Sequence, residues 1–355
     1  MRPWHSLRTM TRHLLAVAAV GALVGCGQTA ASPARNPELL PAPTGVVFPS
    51  LVVGPASSPG PTSGAGTTPS SIQLSAVTLP WRLDRGISRA VAFDGGGLII
   101  IAGGLTASGT TGVVRAIDPV NGHVRRSGLL RDPVHDAAAA VLGGHMLVFG
   151  GGRTVPVDTV QRVEQGAAGT NGTVVGRLPA ARADLAAVVL GDNAFVIGGG
   201  AGGASDTRIW ATRDGAQVRL AGRLRIGVRY AAVVASGPSI FVFGGAAVGG
   251  DRSEVQRFDP STGQTRVVGR LPIRLSHASA ILLGGHVFIL GGRVSGRASD
   301  TIWLFDPQTA TATRVGRLPY PVSDAASVVI DGRGYLVGGE QAGPPLDTVI
   351  SVGLR

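Results

Sequence analysis

Six residues of this 355-residue chain share one spacing and carry side chains able to do chemistry: Arg89, Asp136, Asp184, Tyr230, His277 and Asp324. Each stands fourteen residues ahead of a glycine pair. The pairs begin at Gly103, Gly150, Gly198, Gly244, Gly291 and Gly338, at intervals of 47, 48, 46, 47 and 47 residues. Carboxylates accept hydrogen bonds from hydroxyls, arginine pairs with a carboxylate, and tyrosine stacks or hydrogen-bonds. Such a set suits recognition of a small polar ligand, for example a sugar or a peptide end. Two other readings use the same residues. Aspartates and a histidine can collect a hard divalent cation, or polar side chains can cap backbone amides around a wet opening.

The elements that position these residues are legible in the repeat itself. The segments leading into the glycine pairs are "RAVAFDGGGLIIIA", "DAAAAVLGGHMLVF", "DLAAVVLGDNAFVI", "YAAVVASGPSIFVF", "HASAILLGGHVFIL" and "DAASVVIDGRGYLV". Each reads as a small-residue strand, a turn rich in Gly, Asp or Asn, and a large apolar strand. A third strand follows, as in "SEVQRFDPSTG" and "DTIWLFDPQTA", and a fourth ends in "VVGRLP", "LAGRLR", "VVGRLP" or "RVGRLP". Four strands in a unit of about 47 residues make one propeller blade. The expected fold is all-β, a six-bladed β-propeller over residues 71–355. The last unit stops at Arg355 without a fourth strand, whereas "SIQLSAVTLP" precedes the first unit and resembles the fourth-strand tag. The N-terminal strand is therefore expected to complete the last blade, which closes the ring and removes an open sheet edge.

The glycine pairs and the third-strand motifs Phe258-Asp259-Pro260, Phe305-Asp306-Pro307 and Ile117-Asp118-Pro119 make the chain resemble the kelch-repeat family over roughly residues 72–355. It departs from the usual pattern in lacking a fourth-strand tryptophan. The resemblance implies four-stranded kelch-type blades and a ligand-binding or protein-interaction module. It also admits a carbohydrate-directed enzyme of the sialic-acid-mutarotase type, in which Arg89 with Asp136 or Asp324 would imitate the acid–base pair. No G-x-S-x-G elbow, H-E-x-x-H or paired-cysteine site is present, and the chain has no lysine. These absences favour a binding module over an enzyme and give no cofactor and no committed metal.

In a propeller the first strand of each blade lines the central channel, so the six residues are expected to begin those strands at the channel mouth. Ala90, Ala137, Leu185, Ala231, Ala278 and Ala325 lie just inside. Arg153, Asp251, Arg252, Arg293, Arg297, Glu340 and Gln341 fall in loops of the same face, with no single one preferred. Arg177, Arg223, Arg270 and Arg317 belong to outermost strands, where charge discourages edge-to-edge pairing.

The N-terminus reads as an address. "MRPWHSLRTMTR" is basic, "HLLAVAAVGALVG" is apolar but short for a membrane span, and Leu23-Val24-Gly25-Cys26 looks like a bacterial lipobox. Residues 1–25 are expected to be a lipoprotein signal peptide, with Cys26, the only cysteine, acylated as the membrane anchor. Residues 26–70, rich in Pro, Ser, Thr and Gly, read as a disordered tether, with an apolar patch at 46–54. The expected location is the bacterial cell envelope, lipid-anchored and extracytoplasmic, and the expected state is a monomer. The formal charge of +11 includes Arg2, Arg8 and Arg12, so 29 − 21 leaves +8 once residues 1–25 are removed. With no basic run interleaved with aromatics, nucleic acid is not an expected partner.

Overall fold

The computed structural model describes residues 72–166 and 169–355. The expected signal peptide, the tether with its patch at 46–54, and Cys26 lie outside these residues. Among the described residues there is no helix, and the strands form six four-stranded antiparallel sheets. Blade 4 is typical, running from Ala232–Ser236 through Ser239–Phe243 and Glu254–Asp259 to Gln264–Arg270. Short two-stranded hairpins follow the glycine pairs of blades 1, 4 and 5.

The second strand of each blade is apolar without alternation because both of its faces are covered. In blade 1, Ile99 and Ile101 pack into the core shared with blade 6, whereas Ile100 packs into the core shared with blade 2. In blade 5, Phe288 and Leu290 face blade 6, and Val287 and Ile289 face blade 4. The six hydrophobic clusters correspond one to one with the six junctions between neighbouring blades. Two fully buried glutamines tie blades together through the backbone. The Gln161 amide closes on both N–H and C=O of Asp132, and Gln256 does the same with Ile226.

Blade 6 consists of Ala326–Ile330, Arg333–Val337, Val349–Leu354 and, as its outermost strand, Leu74–Thr78. Leu74 lies opposite Leu354 and Thr78 opposite Ile350. The Arg-Leu of the repeated tag has its counterpart at Arg82-Leu83, beyond the Leu79-Pro80 that imitates the end of the tag. Arg82 pairs with Asp347 at 2.6 Å and the Leu83 amide donates to the Asp347 carbonyl at 2.8 Å. Arg177 and Leu178 make the same two contacts with Asp158 in blade 2.

The glycine pairs are junction pieces. Gly244 has φ +56, and a Cβ on it would overlap the carbonyl oxygen of Leu275, which belongs to the next blade. The following Gly245 amide donates to that same oxygen at 2.8 Å. The bond recurs at all six junctions, from Gly104 to Val134, Gly151 to Arg182, Gly199 to Val228, Gly292 to Val322 and Gly339 to Ile87. Glycine is required here by handedness and by the close approach of a neighbouring backbone. Gly237, in the hairpin turn of the same blade, has φ +57, but a Cβ added there would meet nothing within 4 Å. Gly237→Ala is thus expected to cost about 1 kcal/mol of backbone strain, and Gly244→Ala about 3 kcal/mol or more, measured as the shift in denaturant midpoint.

Candidate functional site at the channel mouth

The six spaced residues form a closed circle. The Asp136 amide donates to the Arg89 carbonyl at 3.1 Å, Asp184 to Asp136 at 2.8 Å, and Tyr230 to Asp184 at 2.9 Å. His277 then donates to Tyr230 at 2.9 Å, Asp324 to His277 at 3.1 Å, and Arg89 to Asp324 at 2.9 Å. All six hold φ between 53° and 61°, the left-handed region that favours glycine, and none is glycine. They do not begin the innermost strands as expected. In five blades the strand starts two residues later, as at Val91 and Ala138, and in blade 3 Asp184 interrupts the pairing between Ala183 and Leu185. The left-handed turn points each N–H at one neighbouring blade and each C=O at the other before the chain descends into its strand.

The side chains make a continuous polar rim. Arg89 Nε donates to Glu340 Oε1 at 2.8 Å, and Arg89 Nη1 to Asp136 Oδ2 at 3.2 Å. Arg293 Nη2 bridges Glu340 Oε2 at 2.6 Å and Asp324 Oδ2 at 2.9 Å, the second contact being Coulombic because its angle is poor for a hydrogen bond. Arg229 Nε donates to Asp184 Oδ2 at 2.6 Å, and its guanidinium lies 5.2 Å from the Tyr230 ring centroid. Tyr230 and His277 stack with centroids 3.8 Å apart. His277 Nδ1 contacts Ser276 Oγ at 2.8 Å. His135 Nε2 lies 3.6 Å from Asp136, with Thr110 Oγ1 on its other nitrogen at 2.9 Å.

Of the loop residues singled out from sequence, Glu340 and Arg293 reach the rim, whereas Arg252 instead donates to Val248 within its own hairpin. Two rim residues, Arg229 and His135, escape the sequence reading. Both occupy the position directly before a ring residue, where the other repeats carry serine or alanine, so departure from small residues is the signal that marks them. A cavity of about 110 Å³ is lined by the ring residues and by the residue following each. Among the described residues no three His, Cys, Asp or Glu side chains are grouped so as to hold a metal ion.

Burial drives the electrostatics of the rim. It pushes the Asp136 carboxyl up to about 7, with Arg89 opposing and Asp184 and Asp324 reinforcing. Burial likewise pushes Asp324 up to about 6, against Arg293. Burial and then the cations Arg293 and Arg89 take His277 down to about 3, so its imidazole is neutral near pH 7. Burial would raise Glu340 as well, but hydrogen bonds from Arg89 and Ser88 more than offset it and hold the carboxylate ionised. Fixed cations therefore stand beside two carboxyls that exchange protons near neutrality, a combination that can both donate to and accept from hydroxyl groups.

The family model described as Kelch motif matches residues 274–311, which lie in blade 5. No curated protein matches the chain. Among solved structures, the structure of YjhT aligns with a TM-score of 0.66 at 15% identity, over 78% of this chain and 99% of that one. At that identity the likeness shows the fold alone.

Asp136 binds a proton on folding between its ordinary 3.8 and about 7, so its contribution to stability is present at low pH and is lost as pH rises through that window. His277 acts in the opposite sense, and stability is lost as pH falls from 6.5 toward 3. Asp136→Asn is expected to be more stable than wild type at pH 8, by about 2 kcal/mol, and to lose most of that advantage by pH 4. Thermal unfolding at the two pH values checks the crossover.

Proposed function

We propose that this kelch-repeat β-propeller is a binding module whose channel-mouth ring receives the polar end of a small hydroxylated ligand, such as a glycan. The observation that carries this reading is the left-handed backbone of the six ring residues. Glycine would satisfy that geometry at no steric cost, and a non-glycine residue there costs on the order of 1 kcal/mol or more. Six polar side chains are held in the costlier conformation, and all converge on one cavity. Strain concentrated in converging side chains is a mark of a functional site. Since a water occupies about 30 Å³ of liquid, about 110 Å³ accommodates a terminal group and not a whole oligosaccharide. Arg89 and Arg229 would donate to ligand oxygens, and Asp136, Asp184 and Asp324 would accept from hydroxyls, with Tyr230 and His277 offering a flat face.

A second reading, acid–base catalysis on a sugar, draws on Asp136, whose carboxyl titrates at about 7 beside Arg89. Such a group takes and returns a proton with little driving force lost in either direction. One experiment separates the readings. Wild type and an Asp136/Asp184/Asp324→Asn triple variant are screened against mono- and disaccharides by thermal shift, and anomer exchange is followed by NMR for each sugar that binds. A ligand at a hundred times its dissociation constant is expected to raise the wild-type Tm by about 5 °C and to leave the variant unmoved. Anomer exchange faster than in buffer alone moves the assignment to the enzyme. Equal stabilisation of both proteins removes the ring as the site.

The address belongs to the same proposal. A chain acylated at Cys26 would hold the propeller at the bacterial cell envelope, on the extracytoplasmic side, with residues 26–70 as its tether. A multiply acylated cysteine anchors stably where one chain holds only weakly. Cys26→Ser is expected to move the protein from the membrane fraction to the soluble extracytoplasmic fraction and to abolish labelling by a radioactive fatty acid. Retention of the label in that variant would overturn the assignment.

A further inference from the structure

The six outermost strands carry nine arginines, at positions 125, 126, 177, 219, 223, 266, 270, 314 and 317, and no aspartate or glutamate. Arg177, Arg270 and Arg317 pair with Asp158, Glu254 and Asp300 of their own blades. The other six are exposed and make no ion pair among the described residues. Blades 1 to 5 carry two, one, two, two and two of them. Blades 3 to 5 hold six of the nine, and the outermost strand of blade 6, Leu74–Thr78, holds none.

Within this arc, a groove of about 1060 Å³ separates the outermost strands of blades 3 and 4, Arg219–Arg223 and Gln264–Arg270. Arg223, Arg225 and Arg266 line it, and no carboxylate does. Leu220 and Val267 also line it and are 46% and 43% exposed. Across its own sheet Arg223 stands opposite Arg208, which Asp206 already pairs at 2.6 Å. Arg266 stands directly opposite another arginine, Arg257, and neither has an ion-pair partner among the described residues. Like charges so placed are unfavourable. The two strands that bound the groove are each the last in their sheet and have no partner on the outer side among the described residues.

We propose that this groove docks an extended acidic peptide segment, which adds as a strand to the edge of blade 3 or blade 4. Each feature of the groove meets one feature of such a segment. The free edge pairs with peptide backbone, aliphatic side chains cover Leu220 and Val267, and carboxylates relieve the opposed Arg266 and Arg257. The exposed aliphatic pair, which a fully ionic polymer would leave uncovered, favours a peptide over an anionic polysaccharide. The same arginines repel the equivalent edge of a second copy, so one charge pattern discourages self-pairing and admits an acidic strand.

The test uses the full chain and a fluorescein-labelled (Glu-Val)4 peptide, followed by anisotropy in 50 mM salt. Saturable binding is expected, weakened at least tenfold by Arg223→Glu/Arg266→Glu and at least tenfold by N-methylation of alternate peptide amides. Asp136→Asn, at the channel mouth, is expected to leave it unchanged, which separates this surface from the ring. The thermal unfolding of the double variant is matched to wild type first, and a Leu220→Ser/Val267→Ser variant gives a charge-neutral second arm with weaker binding expected. No binding, binding indifferent to charge reversal, or binding unaffected by N-methylation overturns the proposal. Dextran sulfate binding in preference to the peptide reassigns the groove to a polysaccharide and overturns it equally.

Discussion

Six backbone hydrogen bonds, each joining the left-handed residue of one blade to that of the next, run head to tail around the channel mouth. A bond in this circle depends on its neighbours, because the turn that aims a carbonyl at one blade also fixes the amide aimed at the other. Outside it lies a second set of six, from the glycine pairs to the backbone two residues before each ring residue. Beyond both lie the hydrophobic clusters, one for each junction. The repeat period is thus a junction period. What recurs at intervals of about 47 residues is the set of groups needed to dock one twisted sheet against another without burying an unpaired amide.

This explains how much of the molecule is legible in the sequence. Blade number, strand order and the six ring positions follow from glycines that cannot be replaced and from second strands such as Ile99–Ala102 that lack alternation because both faces are buried. The ring's electrostatics are less accessible. Glu340 and Arg293 come from loops whose charged residues look alike in sequence, and only the folded hairpin of blade 5 and the turn after Gly339 bring them to Arg89 and Asp324. Arg229 and His135 sit in a register position that the other repeats fill with serine or alanine. A repeat comparison that seeks sameness passes over them. The displacement of the fourth-strand tag to Arg82-Leu83 has a similar origin, since Leu79 and Pro80 imitate the motif while the contact to Asp347 is made further along the chain.

The two polar regions solve the problem of charge in opposite ways. At the channel mouth every arginine is matched. Arg89 and Arg293 share Glu340, and Arg229 takes Asp184, so the guanidinium groups are held in fixed geometry and their charge is largely neutralised inside the cluster. Asp136 and Asp324 keep a raised proton affinity because burial outweighs the pull of Arg89 and Arg293. On the circumference the arginines of blades 3 to 5 are mostly unmatched and screened by solvent. One region favours fixed geometry over reach, and the other favours reach over geometry.

Pairing of Leu74–Thr78 with Val349–Leu354 also has a kinetic side. The first strand of the propeller to leave the ribosome is among the last to find its partner, since 354 − 74 places them 280 positions apart. Closing a loop of that length costs about 5 kcal/mol in chain entropy, whereas each of the other blades is assembled from strands close in sequence. Five sheets can therefore form by local zipping while the sixth waits. During that interval the apolar flank of blade 1 has no cover, because the cluster it shares with blade 6 needs residues from both ends of the domain, whereas the buried cluster between blades 5 and 6 lacks only Leu74. Ring closure is the slow step and the vulnerable one, and a chaperone that shields that flank would act on this intermediate more than on any other.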